Sequence, residues 1–202
     1  MPFKSLSNEN VRYLELGDVC EIQTGFGVKT SFYRDNGFPI IKGENIHGGQ
    51  ITTDNLSYCN PNNHPNAPVI KYGDIVIVSH GCPGKVGINL TDREFFFSNN
   101  VHKLIPDETV LIKKYLYHCL LNKQEEIKGL AKGSSQPFVG KSVMRKLKIP
   151  IYCLETQTKI VETLDKFQEL KQELKQELLL RKRQHSYYRD QIWRPLLGNL
   201  TE

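Results

Sequence analysis

The chain has 202 residues, of which 39% are hydrophobic and 24% charged, as expected for a folded protein with one sizeable core. Its formal net charge of +5 favours a polyanionic partner such as nucleic acid, although charge alone does not select one. The N-terminus has no apolar segment of the kind that predicts a signal peptide, and the sequence has no run of about 18 apolar residues that would predict a membrane span. We therefore expect a cytoplasmic protein. The five cysteines include no CxxC pair, which predicts reduced thiols rather than a disulfide framework or a zinc knuckle.

Short runs of β-branched and aromatic residues, separated by glycine, proline, aspartate or asparagine, dominate the first half of the chain. At the start they predict an extended piece, a turn at Gly17-Asp18 and a strand that ends near Gly25. Further strands are predicted at residues 38–42, 73–80, 86–90, 94–98 and 101–105, and loops at 43–50 and 60–68. No helical pattern separates these runs, so we predict an α+β domain with a twisted, mostly antiparallel sheet rather than a doubly wound parallel one.

Helical spacing begins after this region. Residues 109–128 predict one helix, with Thr109 as its N-cap and Gly129 as its end. A basic, hydroxyl-rich loop follows at 129–137, then a short helix at 138–145 and a closing strand at 147–151. These elements complete one globular unit.

The segment 155–193 contains neither glycine nor proline and predicts a single rod about 60 Å long. Alternate steps of four and three residues mark an apolar seam that runs for more than four heptads, as in a coiled coil. We predict that Pro195 ends the rod. The predicted interface residues on or beside this seam are Ile160, Leu164, Phe167, Leu170, Leu174, Leu178, His185, Tyr188 and Ile192.

Such a long stripe must be covered, either by the rest of its own chain or by another helix. A domain of some 150 residues has a radius of gyration of about 15 Å, much shorter than the rod. The seam also continues through Tyr188 and Ile192, beyond the basic run 181–183. Both observations favour a partner helix.

One pattern points to catalysis. Asp107, Glu126 and Lys128 fit the loose spacing of metal-dependent nucleases, in which two acids bind Mg²⁺ and a lysine positions water. However, a helix across 109–128 would hold the two acids about 27 Å apart, at 1.5 Å per residue. The nuclease therefore stays a rival hypothesis, and we expect no catalytic activity. The six histidines show no HxH or HExxH spacing, so no metal site is predicted.

Two glycine-rich loops are candidates for close approach to a ligand. Gly25 and Gly27 flank one aromatic residue but do not complete a dinucleotide fingerprint. The loop with Gly81, Gly84 and Lys85 lacks the spacing of a Walker A motif. It is either a plain hairpin turn or a loop that touches a nucleic-acid phosphate through its backbone N–H groups and the lysine.

Several short motifs occur in a defined order and spacing along the chain. They are Leu14-x-Leu16-Gly17-Asp18-Val19, Gln23-Thr24-Gly25, Phe38-Pro39-Ile40-Ile41, Gly73-Asp74-Ile75-Val76-Ile77-x-Ser79-x-Gly81, Gly84-x-x-Gly87, Gly133-Ser134-Ser135-Gln136 and, after the closing strand at 147–151, Glu155-x-Gln157-x-Lys159-Ile160-Val161-x-x-Leu164-Asp165. Their order and spacing resemble the specificity subunit of type I restriction-modification systems. The resemblance covers about residues 11–194, and the closing strand joined to the Glu155-x-Gln157 helix start is its most specific part.

The resemblance implies a target-recognition domain at 1–153, a coiled-coil helix at 154–194 and a short tail at 195–202. Family members usually carry two recognition domains and two antiparallel helices, whereas this chain has one of each. By analogy it is a half subunit whose two copies pair through the helix and read a split palindrome. The resemblance also implies double-stranded DNA and separate modification and restriction subunits as partners. S-adenosylmethionine and ATP are then cofactors of those subunits, and this chain has none.

The resemblance further implies that loops of the domain read base edges and hold phosphates. We chose candidate residues by side-chain type and loop position. They are Lys29, Lys42, Asn45, His47, His80, Lys85, Lys132, Ser134, Ser135, Gln136 and Lys141. A coiled-coil interaction protein without a DNA role is the second rival hypothesis.

Overall fold

The computed structural model describes residues 11–27 and 32–198. The strands are β1 (Arg12–Glu15), β2 (Cys20–Thr24), β3 (Phe38–Ile41), β4 (Ile46–His47), β5 (Gln50–Ile51), β6 (Ser57–Cys59), β7 (Val69–Ile70), β8 (Ile75–Val78), β9 (Val86–Ile88), β10 (Phe95–Phe97), β11 (Val101–Pro106) and β12 (Lys148–Ile151). The helices are α1 (Leu16–Val19), α2 (Lys113–Asn122), α3 (Gln124–Gly129), α4 (Lys141–Arg145) and α5 (Leu154–Gly198). The chain divides into two compact units, one up to Lys159 and one from Ile160.

Two mixed sheets make up most of the first unit. One has six strands in the order β2-β11-β8-β9-β5-β4, and the other has four in the order β6-β3-β10-β7. Most neighbours are antiparallel, while β3 pairs with β10 and β5 with β9 in parallel. The α+β class and the mostly antiparallel pairing predicted from the sequence are confirmed.

The core of this unit lies between the facing sides of the two sheets. Apolar side chains from both sheets form one fully buried cluster, because runs of isoleucine, valine and phenylalanine place bulky branched or aromatic groups at adjacent strand positions. All four residues of β8 are buried, so this central strand is covered on both faces. The cluster comprises Ile41, Ile46, Ile51, Ile70, Val76, Val78, Phe95, Phe97 and Val101.

The two ends of the first unit meet in a separate pair of strands. β1 runs antiparallel to β12, with Leu14 opposite Ile149. The guanidinium of Arg145 donates a hydrogen bond to the carbonyl of Gly17 (3.0 Å), and a Cβ at Gly17 would lie 2.8 Å from the Arg145 side chain. The glycine in the first family motif therefore makes room for this arginine.

The helix predicted at 109–128 is wrong in its details. Residues 107–110 form a turn in which Thr109 donates two hydrogen bonds to the Asp107 carboxylate, and α2 begins only at Lys113. The helical path then breaks at Lys123, whose backbone leaves the α region, before α3 starts. Asp107 therefore caps a turn, because its carboxylate accepts hydrogen bonds from both the N–H and the hydroxyl of Thr109.

Two further predictions need adjustment. The stretch 43–50 is not a plain loop, because a 3₁₀ turn leads into the short hairpin of β4 and β5. Only residues 141–145 of the short helix predicted at 138–145 are helical, since Phe138 instead pairs with two other segments. These short elements depend on partners that are distant in sequence.

The second unit is the greater part of α5. The helix extends past Pro195 to Gly198, so the prediction that proline ends the rod is wrong. A proline removes one backbone hydrogen bond, and the helix continues for less than one turn beyond it. In the described part of the chain, no helix combines the length and the low polarity that crossing a bilayer requires.

Candidate nucleic-acid interface

Two loops of the first unit lie side by side and form one exposed surface, which we call the two-loop platform (residues 79–85 and 131–141). The N–H of Gly81 donates to the carbonyl of Pro137 (2.9 Å), and the N–H of Val139 donates to the carbonyl of Ser79 (2.9 Å). The N–H of Ser79 also donates to the carbonyl of Asn100 at the start of β11 (2.8 Å). These bonds fix the platform to the six-stranded sheet.

The second loop folds back on itself as a small hairpin. Lys132 and Phe138 exchange two backbone hydrogen bonds of 2.9 Å each. Gly133 adopts a φ of +91° next to the carbonyl of Gln136, a conformation that glycine tolerates without strain. The tip at 133–136, which includes the predicted residues Ser134 and Ser135, is exposed. The hairpin therefore presents hydroxyl and amide groups to solvent.

An aromatic pair sits at the centre of the platform. The ring of His80 stacks on the ring of Phe138, with centroids 5.5 Å apart and planes 14° from parallel. The Nδ1 atom of His80 lies 2.8 Å from the hydroxyl of Ser79, which in turn donates to the carbonyl of Asn100 (3.0 Å). Because Nδ1 is engaged, His80 can present only its Nε2 edge to a ligand.

The lysines of the platform differ from most others in the first unit. Lys85, Lys132 and Lys141 have no carboxylate oxygen within 4.0 Å among the residues that the structure describes. Most other ammonium groups of this unit are compensated, as for Lys71 with Glu94 (3.5 Å) and Lys148 with Glu15 (3.1 Å), and Lys146 is an exception. Positive charge without a counter-charge therefore accumulates on this face.

A cleft of about 460 Å³ adjoins the first loop of the platform, between Gly81–Lys85 and α3. The N–H groups of Gly81 and Gly84 are both used inside the fold, since that of Gly84 donates to the carbonyl of Val78 (3.0 Å). These two N–H groups cannot cradle a phosphate, which corrects that part of the phosphate-loop hypothesis. The ammonium of Lys85 is the group of this loop that stays available.

His102 is a neighbour of the platform that the sequence reasoning missed. It lies on β11, is only 5% exposed, and its Nδ1 atom has no hydrogen-bond partner in the described part of the structure. Burial, and then the positive charges of Lys141 and His80, lower the pKa of His102 from 6.5 to about 4. The one available signal was a histidine in a strand that otherwise holds four apolar residues and Lys103.

A second group of predicted residues lies in the segment between β3 and β5. The ammonium of Lys42 is 3.9 Å from Glu44 and 4.4 Å from the ring centroid of Tyr33, so its charge is partly compensated. Asn45 is only 2% exposed. Its amide accepts a hydrogen bond from the N–H of Lys42 (3.0 Å) and donates to the carbonyl of Asp54 (3.0 Å). The expectation that Asn45 reads bases is thereby corrected, because its side chain holds this segment together. His47 is exposed.

The Gly25-Phe26-Gly27 loop does not face a ligand at Gly25. A Cβ at that residue would lie 2.3 Å from the carbonyl oxygens of Phe97 and Ser98, so the glycine makes room for the chain's own backbone. The predicted residue Lys29 lies outside the described residues.

The three residues of the nuclease hypothesis have other partners. Asp107 binds Thr109, Glu126 pairs with Lys123, and Lys128 pairs with Glu125 at 3.3 Å. Hydrogen bonding to Thr109 lowers the pKa of Asp107. The described residues contain no group of three histidine, cysteine or acidic side chains that could hold a metal ion. The geometry therefore does not support a two-acid metal site.

The buried cysteines also lack an environment that favours a reactive thiolate. All five cysteines are free. Burial raises the pKa of Cys20 to about 12 and that of Cys119 to about 11, so both stay protonated thiols at neutral pH.

Comparison with known proteins assigns the fold and the family. The family model described as the type I restriction modification DNA specificity domain matches residues 8–180. The specificity subunit of the type I restriction enzyme MjaVIII from Methanocaldococcus jannaschii is 27% identical over 183 residues, which are 84% of this chain and 43% of that protein. The specificity subunit of EcoR124I/EcoR124II from Escherichia coli is 33% identical over 102 residues, 48% of this chain and 25% of that protein.

Solved structures agree in fold. The S subunit of a type I restriction-modification system from M. genitalium superposes with a TM-score of 0.63 at 22% identity, over 80% of this chain and 40% of its own. The HsdS subunit from Thermoanaerobacter tengcongensis gives 0.64 at 23% identity, over 82% and 39%. The chain thus spans about two fifths of the length of these relatives. Because the family model matches most of its residues, the chain belongs to the type I restriction-modification DNA specificity family.

Proposed function

We propose that this chain is a half-length specificity subunit that recognises one half-site of a bipartite DNA target through the two-loop platform. The observation that carries the proposal is the set of three platform lysines without carboxylate partners among the described residues. Lysines on a rigid surface bind phosphates and fix the register of a duplex, while neighbouring amide and hydroxyl groups meet base edges. Gln136, Ser134 and Ser135 supply such groups on the exposed hairpin tip.

We further propose that the chemistry of the complex belongs to other chains. A modification subunit would bind S-adenosylmethionine and methylate the target, and a restriction subunit would use ATP for translocation and cleavage. This chain would direct both to their site without catalysing either reaction. Its family membership supports this division of labour.

Two copies of the chain would join through α5. On that helix Phe167, Leu170, Leu174, Leu178, Tyr188 and Ile192 are each more than half exposed. All of them except Leu170, which adjoins the seam, lie at positions of its alternating four-and-three spacing, and a second helix covers such a seam by knobs-into-holes packing. Leaving so many large apolar groups in water is unfavourable, and association removes that cost.

The charge distribution along α5 supports an antiparallel pair. Residues 155–180 contain six acidic and four basic side chains, whereas residues 181–194 contain one acidic and five basic ones. An antiparallel partner places the basic end of one helix beside the acidic half of the other, while a parallel partner aligns like charges. A two-fold axis would then relate the two recognition domains, and the DNA target would be a split palindrome.

A selection experiment tests the proposed function. The purified chain, with and without the modification subunit of its own system, is incubated with a library of duplexes carrying a long randomised segment, and the bound fraction is sequenced. We expect two short, two-fold related sequences with a constant spacing. The triple variant Lys85→Gln, Lys132→Gln, Lys141→Gln should lose this enrichment.

A charge-matched control distinguishes the loss of a binding site at the platform from a general effect of lower net charge. Lys71→Gln, Lys148→Gln, Lys159→Gln removes the same three charges from lysines that pair with carboxylates. This variant should retain the selected motif. If the intact complex enriches no sequence, the coiled-coil interaction protein becomes the better hypothesis. If both triple variants lose the enrichment equally, the platform is excluded as the binding site.

A further inference from the structure

The backbone of Phe138 connects the two loops of the platform. It forms an antiparallel bridge with His80 on one side and with Lys132 on the other. Directly opposite residues of an antiparallel pair carry their side chains on the same face. All three residues are exposed, so their side chains form one row across the solvent side of the platform.

The ring of Phe138 is fixed within this row. One face stacks on the ring of His80 at a centroid distance of 5.5 Å, and Cδ1 lies 4.0 Å from the position that a Cβ of Gly133 would take. Backbone hydrogen bonds at Pro137 and Val139 hold the chain on both sides of this residue. Phe138 is nevertheless 40% exposed, so it offers an apolar surface whose ordering on binding costs little.

His80 offers a hydrogen-bond acceptor next to this ring. The hydroxyl of Ser79 donates its one proton to the carbonyl of Asn100 (3.0 Å), and its oxygen lies 2.8 Å from Nδ1 of His80. The hydroxyl oxygen therefore accepts from the ring, which places the proton of a neutral His80 on Nδ1. Nε2 is then a lone-pair acceptor on an exposed side chain.

An acceptor beside a fixed apolar ring distinguishes between base pairs. In the major groove an A·T pair presents the amino group of adenine as a donor and the methyl group of thymine as an apolar contact. A G·C pair presents the amino group of cytosine but no methyl group. The stacked His80 and Phe138 therefore match an A·T pair, and the ammonium of Lys132 at the end of the row suits a phosphate.

The stacking also decides how the ring of Phe138 can meet DNA. An aromatic side chain that inserts between two base pairs unstacks them and needs both of its faces free. One face of Phe138 is covered by His80. The ring can therefore contact the edge of a base in the groove, but it cannot insert.

We propose that His80 and Phe138 read one A·T base pair of the half-site from the major groove. Phe138 packs on the methyl group of thymine, and Nε2 of His80 accepts a hydrogen bond from the amino group of adenine. The inference rests on the proposed function and deepens it, because it names the base pair that these two side chains select.

The experiment uses the selected duplex and the complex of the full chain with the modification subunit. Each thymine of one half-site is replaced in turn by uracil, which keeps the base pairing and lacks the methyl group, and Kd is measured by fluorescence anisotropy. We expect one position at which uracil weakens binding about fourfold, the effect of one buried methyl group. Phe138→Ala should bind the thymine and uracil duplexes equally at that position.

A second base substitution tests the acceptor. Replacing the adenine of the same base pair by purine, which lacks the amino group, should weaken binding by the wild type about fivefold. His80→Phe keeps a ring that stacks on Phe138 but has no acceptor. This variant should be insensitive to the missing amino group and should retain the uracil effect.

Phe32→Ala is the matched control. Phe32 is also a partly exposed aromatic residue (37%), and its ring contacts a histidine ring, that of His64, at a centroid distance of 6.0 Å. It lies outside the platform, so this variant should keep the uracil effect of the wild type. Because each variant is compared with itself on two duplexes, a partly unfolded fraction cancels from the ratio of the two Kd values.

The outcomes separate this base-pair assignment from the proposed function. Specific binding without a uracil-sensitive thymine, or a uracil effect that persists in Phe138→Ala, overturns the assignment and leaves half-site recognition standing. Equal loss of the uracil effect in Phe138→Ala and Phe32→Ala overturns it as well. A purine effect that persists in His80→Phe overturns the role of His80. If the intact complex binds no sequence selectively, the proposed function itself fails.

Discussion

A single missing side chain at Gly25 lets two strands of different sheets approach each other. Its hypothetical Cβ would lie 2.3 Å from the carbonyl oxygens of Phe97 and Ser98, closer than any real contact. We expect Gly25→Ala to lower the free energy of unfolding by about 3 kcal/mol, because backbone atoms cannot move aside as a flexible side chain can. Urea denaturation of the purified variant measures this loss.

Gly27 provides the control for that substitution. Among the described residues, the atom nearest to its hypothetical Cβ is Nδ2 of Asn99 at 3.9 Å, an ordinary contact distance. Gly27→Ala should therefore change the free energy of unfolding by less than about 0.5 kcal/mol. Similar losses for both variants would show that the loop, rather than the close approach at Gly25, is what alanine disturbs.

His102 makes the stability of the fold depend on pH. Its pKa is lowered from 6.5 to about 4, so between these values the unfolded chain binds a proton that the folded chain does not. Stability should therefore fall as the pH decreases from 6.5 towards 4, by at most about 3.5 kcal/mol at 1.4 kcal/mol per pKa unit, and should not change above 6.5 on this account.

Thermal unfolding from pH 7.5 down to pH 4 measures the effect. Acidic groups with lowered pKa values, such as Asp107 and Glu155, lose stabilisation in the same direction. The comparison with His102→Gln isolates the histidine, because this variant should show a shallower decline. Identical profiles for both proteins would mean that the carboxylates alone are responsible.

At the scale of elements, runs of hydrophobic residues in the sequence predicted the strands that supply much of the core. β3, β8 and β10 fall within predicted segments and β11 exceeds its predicted segment 101–105 by one residue, because branched and aromatic residues favour strands whatever their partners. The two-residue strands β4, β5 and β7 were not predicted. Each is defined by a partner elsewhere in the chain, as β5 is by β9, and local pattern carries no information about such a partner.

The candidate site could be predicted only in part, for a related reason. Loop position and side-chain type selected His80, Lys132 and Lys141, which the fold brings onto one surface. The same criteria selected Asn45, which is buried as a turn-forming amide. They missed His102 because the sequence shows no contact between β11 and the loop before α4. Burial and long-range pairing decide these cases.

The start of α5 depends on one buried amide, that of Gln157. Its Oε1 accepts from the N–H of Ile112 (2.9 Å), and its Nε2 donates to the carbonyls of Val110 (2.8 Å) and Tyr152 (2.9 Å). Gln157→Ala leaves all three backbone groups without this partner. We expect the free energy of unfolding to fall by about 3 kcal/mol.

Chemical denaturation of Gln157→Ala beside Gln172→Ala measures this contribution. Gln172 is an exposed glutamine on the same helix, so its replacement should change stability by less than about 0.5 kcal/mol. This bonding pattern gives a physical reason for a glutamine at position 157, near the beginning of the helix. A stability of Gln157→Ala equal to that of the control would contradict it.

At the scale of the whole molecule, this chain spans about two fifths of the length of the relatives to which it is similar. The chain covers 43% of the MjaVIII subunit and 40% of the M. genitalium S subunit. Two copies would supply a similar length, and the exposed seam on α5 is the surface on which they would meet. A dimer also doubles the number of phosphate contacts, which steepens the salt dependence of binding.

Solution mass, measured by analytical ultracentrifugation or light scattering, tests this assembly. We expect a particle of about 46 kDa, twice the 23.2 kDa of the chain. Leu174→Glu with Leu178→Glu should convert it to a monomer, because each copy then places two carboxylates in the apolar seam. Leu179→Glu with Leu180→Glu is the matched control, since these leucines are equally exposed but lie off the seam. That variant should stay dimeric. A wild-type monomer at micromolar concentration would mean that a helix of another subunit covers the seam. The split palindrome would then no longer follow from the two-fold symmetry of a homodimer.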